Sequence, residues 1–184
     1  MFWYAFTGCD TVSSFRGRGK KTAWNVWNAF PEVGEAFINL VRSEEIQDND
    51  FRLIERFVVL LYDKTSPLMT VNECRRDLFT KKCRPIESCP PTYNALVQHT
   101  KRAMLQSFIW SQSVKLSIFQ RNVYNFGWIA GPEYRMKPLW LTIQEASKIC
   151  KELTRCSCKK ACKTCKCKKS GMVCTELCAC KGHC

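Results

Sequence analysis

The sequence predicts a mainly α-helical protein: a small helical domain followed by a metal-ordered, mostly irregular cysteine-rich module. Three observations predict it. Apolar residues recur at i, i+3, i+4 and i+7 along much of the first 113 residues, which is the period of one helix face. Hydrophobic residues make up 46% and aromatic residues 12% of the 184, enough for a core and too many for wholesale disorder. Nine of the 14 cysteines fall within the last 29 residues, a crowding that means metal rather than disulfides wherever thiols stay reduced.

The elements follow in order. The first 30 residues hold eight aromatics, and Phe2, Trp3, Tyr4 and Phe6 read as an exposed segment like a strand without its sheet, or as simple packing on helices behind. After the Gly-rich segment Gly17-Arg18-Gly19-Lys20, the stripe Ala23, Val26, Trp27, Phe30 predicts a helix that Pro31 ends. Val33, Phe37, Leu40 and Val41 form a second stripe, interrupted by Gln47-Asp48-Asn49-Asp50, and Phe51 to Tyr62 reads as a third, well-buried helix. Thr70-Val71-Asn72-Glu73 is a capping box that starts a helix running to about Lys82. Pro85 to Pro91 is a loop, and Thr92 caps a long helix over about 93–113. Residues 114–143 carry Trp128, Gly131-Pro132 and Trp140, which suggest a loop with a short extended piece, and Gln144 to Leu153 reads as a last helix. The expected domains are therefore 1–113, a connector at 114–153 and a cysteine module at 154–184.

Charge narrows the partners. Lys and Arg number 29 against 16 Asp and Glu, a formal +13 that favours a polyanion, either nucleic acid or an anionic membrane face. The longest clean apolar run, Phe57 to Tyr62, is far shorter than a membrane span. The start, Met1 to Phe6, lacks the basic flank and length of a signal peptide, so the expected compartment is reducing and, with a nucleic-acid partner, nuclear. No motif for a small-molecule substrate is evident, and no membrane association is expected.

The candidate metal ligands are Cys156, Cys158, Cys162, Cys165, Cys167, Cys174, Cys178, Cys180 and Cys184. Met172, Val173 and Leu177 are too few to build a core among them, so the segment needs another source of order. Structural zinc supplies about 10–16 kcal/mol in small peptides. Zinc takes four ligands, so nine thiolates serve about three ions if three sulfurs bridge, leaving a net charge of about −3. Lysines 159, 160, 163, 166, 168 and 169 either offset that charge or contact phosphate, and the spacing leaves both open. Cys9, Cys74, Cys83, Cys89 and Cys150 read as ordinary semi-buried thiols. From Cys156 to Cys184, including Lys169-Ser170-Gly171 and the closing Cys-x-Cys, the segment resembles the tesmin-type CXC domain. The resemblance implies zinc and, in that family, DNA contact. Thr164 stands where some members place a groove-inserting Tyr, and one unit is present where tandem units are common, so a chromatin-protein contact is a further reading.

The second constellation is Thr7-Gly8-Cys9-Asp10 with Ser13-Ser14-Phe15-Arg16-Gly17-Arg18-Gly19-Lys20-Lys21-Thr22-Ala23. Gly-x-Gly before a helix lets backbone amides approach a phosphate, and the helix N-terminus and four cations add positive charge. The same residues also suit an ordinary tight turn. Over about residues 5–30 the pattern Gly-x-Asp, Ser, Gly-x-Gly, Lys-x-Ala resembles the helix–two-turn–helix of the flap endonuclease (PIN-like) superfamily. That resemblance implies duplex-phosphate contact by Ser14, Arg16, Gly17, Arg18, Gly19, Lys20 and Lys21, a potassium ion held partly by Ser14, and Asp10 as a catalytic-metal ligand. Such nucleases hold two divalent ions on several carboxylates, and no acidic residue precedes Asp10. Asp48 and Asp50 read as a turn and helix cap. The expectation is thus a non-catalytic chain with Asp10 as an isolated remnant ligand. The alternative is the tail of a magnesium-dependent, structure-specific nuclease whose catalytic half lies upstream.

Residues 90–112, with Pro90-Pro91-Thr92, His99, Lys101-Arg102-Ala103 and Ile109-Trp110, then Gly127-Trp128 and Trp140 before the CXC unit, resemble a group of uncharacterised animal proteins with the same order of parts. His99 is expected on a helix face rather than as a ligand. His183 reads as dispensable beside nine cysteines.

Overall fold

The computed structural model describes residues 1–80, 84–113, 115–117, 119–140, 156–157, 167, 174 and 178–181. The chain divides into two units, Met1–Thr142 and Ile143–Cys184. The first is mainly helical: α1 (Phe2–Phe6), α2 (Lys20–Ala29), α3 (Val33–Arg42), α4 (Asp48–Tyr62), α5 (Val71–Thr80) and α6 (Tyr93–Gln112), then a small antiparallel pair, β1 (Trp128–Ala130) and β2 (Met136–Pro138).

The segment read as strand-like is the helix α1. Phe2 and Phe6 lie one turn apart on one face, stack at 5.5 Å between centroids, and are buried. They join Phe37 and Phe57, with Phe6–Phe37 at 6.2 Å and Phe37–Phe57 at 5.5 Å. Such offset and edge-on aromatic contacts contribute beyond area burial alone. Trp3, half-buried, faces Trp24 and Trp27 of α2 at 5.8 Å each. The predicted stripes of α2 and α3 point inward, burying Ala23, Val26, Val33, Phe37 and Leu40.

Helix α4 begins at Asp48, three residues before the expected start. Its first turn is acidic, which the helix dipole favours, and Asp50 accepts from the Asn39 amide at 3.0 Å. Gln47 occupies the N-cap position without a side-chain cap bond, so the two aspartates stabilise the helix from inside its first turn. At α5 the Thr70 hydroxyl receives the Glu73 N–H at 3.4 Å and donates to the Glu73 carboxylate at 2.7 Å. A second acceptor comes from α4, where buried Glu55 receives the Val71 N–H at 3.0 Å. Burial raises the Glu55 pKa, the Val71 bond lowers it, and nearby Glu73 raises it further. Helix α5 is described to Thr80, and its expected end at Lys82 falls on residues 81–83, which, with Cys83, lie outside the described residues. Thr92 caps α6 by accepting from the Ala95 N–H at 3.4 Å. Cys74 and Cys89 are buried and Cys9 is half-buried, as expected of packed thiols.

The expected boundary at residue 113 moves to 142. Residues 119–140 pack on the helices because Phe126 is buried and two arginines tie the segment down. Arg102 of α6 donates to the Leu139 carbonyl at 2.7 Å and the Gly127 carbonyl at 3.3 Å. Gly127 has φ +76°, and a Cβ there would stand 2.9 Å from the Gln98 carbonyl oxygen. Arg121 lies over the Phe108 ring at 3.9 Å and donates to the Ser43 carbonyl at 3.0 Å. The helix expected over 144–153 and Cys150 fall outside the described residues. No described helix is long and apolar enough to cross a membrane.

His99 of α6 is not on an exposed face. It is buried between Phe6 and Phe15, at 5.0 and 4.8 Å between ring centres. Nε2 lies 2.8 Å from the Phe6 carbonyl and Nδ1 lies 3.1 Å from the Ser13 hydroxyl. A carbonyl only accepts, so Nε2 carries the hydrogen and Nδ1 accepts from Ser13. The neutral ring thus uses both nitrogens. Burial pulls its pKa down to about 4, with the Phe6 bond opposing and the Arg102 charge adding. An unfolded His titrates near 6.5, so the unfolded chain binds a proton that the folded chain refuses. Stability present above about pH 6.5 is therefore lost as pH falls towards 4, at up to about 1.4 kcal/mol per pH unit from this group. Urea denaturation from pH 7.5 to 5, followed by tryptophan fluorescence, should show that slope, and His99→Gln should flatten it while lowering stability at pH 7.5 by about 1–3 kcal/mol.

Candidate nucleic-acid interface and metal centre

Between α1 and α2 the chain makes two consecutive turns. In the first, Cys9 and Val12 exchange backbone bonds of 2.9 and 3.3 Å; in the second, the Arg18 N–H donates to the Phe15 carbonyl at 2.9 Å. Two glycines make this geometry attainable. Gly17 has φ +69°, which the second turn requires. Gly8 has φ +107°, and a Cβ there would meet the Ser14 Cβ at 2.6 Å, so its hydrogen lets the two turns close on each other. Gly19 serves as the N-cap of α2 at φ −77°, ψ 173°, with no side chain to screen the first amides of the helix.

The cations of the hairpin have different environments. Lys20 is turned inward: its Nζ donates to the Gly8 carbonyl at 2.7 Å, the Tyr4 carbonyl at 3.0 Å and the Thr7 hydroxyl at 3.0 Å, and lies 3.7 Å from the Tyr4 ring centre. An ammonium has three hydrogens, and all three are used. Burial pulls its pKa below the ordinary lysine value, and Cys9 opposes that. Arg18 is half-buried, stands over the Tyr62 ring at 5.1 Å and donates to the Gly17 carbonyl at 3.3 Å. Arg16 and Lys21 are exposed, with no hydrogen bond or ion pair among the described residues. Ser14 is exposed too, and its neighbour Ser13, which carried no role in the sequence reading, holds His99. Asp10 is exposed and belongs to no group of metal-ligating side chains among the described residues.

In the second unit the thiols of Cys156, Cys167, Cys174 and Cys178 lie within 4.8 Å of one another, a group that could hold a metal ion. Cys156 and Cys174 approach to 3.7 Å, Cys167 and Cys178 to 3.6 Å. The Cys156 backbone contributes twice, its N–H donating to the Cys178 sulfur at 3.4 Å and its carbonyl accepting from the Ala179 N–H at 3.0 Å. Burial and the neighbouring Cys178 push the Cys167 thiol up to about 11. A cation would offset the charge of thiolates gathered this closely, which is the logic of a thiolate metal site. Cys180 is buried nearby in sequence but outside this quartet. Cys158, Cys162, Cys165, Cys184, Thr164, His183 and the six lysines lie outside the described residues.

Comparison of the chain with protein-family models, with curated proteins and with solved structures finds no match.

The division among the cations has a measurable consequence. Lys20→Ala removes charge-assisted bonds at the end of α1 and should lower unfolding free energy by about 1–3 kcal/mol. Arg16→Ala and Lys21→Ala should each change it by less than about 0.5 kcal/mol. Denaturant titration of the three variants, read by tryptophan fluorescence, checks this.

Proposed function

We propose that this chain is a zinc-containing nucleic-acid-binding protein, non-catalytic as it stands, whose hairpin contacts duplex DNA phosphates. The observation that carries the reading is the double turn before α2, with Arg16 and Lys21 exposed and unpaired among the described residues. Amides at a helix N-terminus and free cations on one loop favour phosphate, and such contacts position a protein without reading bases. The excess of +13 supports a polyanionic partner. Lys20 shapes the hairpin from inside, so the phosphate contacts assigned to the lysine pair pass to Arg16 and Lys21. A potassium ion at the hairpin and a nuclear location belong to the same proposal. Magnesium enters only if a carboxylate-bearing half exists upstream, the condition for the nuclease reading.

In the second unit, zinc at about three ions per chain is the finer reading of the thiol group. Four of the nine expected sulfurs already lie within ligand distance of one another. Elemental analysis of the purified protein should return about three zinc ions, and a value of one or none would refute the cluster.

Binding to a paired duplex, measured by fluorescence anisotropy over a salt series, should weaken steeply with salt. Arg16→Ala/Lys21→Ala should weaken all sequences alike and flatten the salt slope by up to about 2. Deletion of Cys156 to Cys184 is the control. Binding lost on that deletion but unchanged in the double variant would assign the DNA contact to the CXC unit. Salt-insensitive binding to a chromatin protein instead would favour the interaction-module reading.

A further inference from the structure

A cleft of about 410 Å³ opens between the second hairpin turn and α6. Its wall includes Arg16 of the hairpin, Arg75 of α5, Arg102 of α6, and the aromatic rings of Tyr62 and Trp140. We infer that this cleft receives one unpaired nucleotide of a DNA seated on the hairpin. The inference rests on the nucleic-acid reading above and names what that surface would recognise beyond paired backbone.

Charge and shape argue for this occupant. Among the described residues, three guanidinium groups line the cleft against one carboxylate, Glu87, so its field favours an anion. Two of the three are held by backbone: Arg75 donates to the Pro90 carbonyl at 2.6 Å and Arg102 to the Leu139 carbonyl at 2.7 Å. Their planes are fixed walls rather than mobile arms, and guanidinium planes both stack and donate. Trp140 is 58% exposed at the cleft and has the Arg102 guanidinium 5.1 Å from its ring centre. An exposed indole beside held guanidiniums suits a flat, electron-rich ring that accepts hydrogen bonds at its edge. A nucleobase has that chemistry, and its phosphate would meet Arg16, whose charge is otherwise unpaired among the described residues. An aliphatic side chain would leave Arg16 without an acceptor, and an acidic peptide would leave the ring surface without a stacking partner.

Position adds the third argument. Residues Ser13 to Arg16 belong both to the double turn and to the cleft wall. A strand whose phosphates lie on the hairpin therefore passes the mouth of the cleft, where a paired base stays in its stack and an unpaired one is free to turn in.

The test compares two probes on the full chain by fluorescence anisotropy. One is a fully paired duplex closed by loops, and the other is the same duplex carrying one unpaired 2-aminopurine. The unpaired base should raise affinity about tenfold, the scale of one base–aromatic stack, and the fluorescence of 2-aminopurine should be quenched on binding. Trp140→Ala should abolish the increment and the quenching while leaving paired-duplex affinity unchanged, and Trp140→Phe should restore part of both. Ala95→Leu, which fills the cleft from the face of α6 without removing a polar group, should act as Trp140→Ala does. Equal affinity of the wild-type chain for both probes would overturn the inference while leaving the hairpin reading intact. An increment that survives Trp140→Ala and Ala95→Leu would overturn it as well. Absence of binding to either probe would remove the hairpin reading itself.

Discussion

The imidazole of His99 is the contact on which the geometry of the hairpin depends. It comes from the middle of α6, accepts the Ser13 hydroxyl and donates to the last carbonyl of α1. One side chain thereby fixes where α1 stops and where the double turn sits on the longest helix. The rings of Phe6 and Phe15 close over it and exclude water, so the two bonds form in a medium where an unsatisfied nitrogen would be costly. Gln106 of the same helix accepts from Thr11 in the first turn, a second tie between α6 and the loop. The loop thus has tertiary support at both turns, and its local sequence carries few apolar residues of its own.

The hairpin cations divide their work by where their charge is satisfied. Lys20 neutralises carbonyls at the end of α1, Arg18 lies along Tyr62, and Arg16 and Lys21 are left to solvent. All four sit within six residues and look alike as a sequence. Internal use of Lys20 makes the turn rigid, and rigidity matters for the proposed phosphate contacts because a preformed loop has less entropy to lose on binding. Arg102 and Arg121 play the same structural part farther on: Arg102 gathers carbonyls of the irregular segment after α6, and Arg121, from that segment, reaches the carbonyls at the end of α3. Part of the positive charge of this protein is therefore scaffold, and net charge alone overstates what is presented to a partner.

The described part of the second unit offers a different kind of cluster. Its described thiols gather at van der Waals distances, and among the described residues they pack against one another. A bound cation would offset the charge of thiolates gathered this closely. The first unit folds around aromatic burial, whereas the second brings together four thiols that could hold a metal ion.

Periodicity made the helical class and most of its elements legible. The stripes from Ala23 to Phe30 and Val33 to Leu40, the Thr92 cap and the capping box at Thr70 are local signals, and each lies where expected because neighbours along the chain dictate them. The crowding of cysteines likewise announced a thiol site, since so few apolar residues leave no other core. What tertiary structure decided is every assignment that needs two distant segments. The run Phe2–Phe6 has the residues of a strand and becomes a helix because partners from α3 and α6 cover one of its faces. His99 and Ser13 are 86 residues apart, and no local pattern joins them. Lys20 turns inward because the carbonyls that attract it lie 12 and 16 residues earlier. Residue type and spacing carry local propensity and metal-ligand chemistry. Which charge is free and which is spent depends on who stands across the fold, and that is written only in three dimensions.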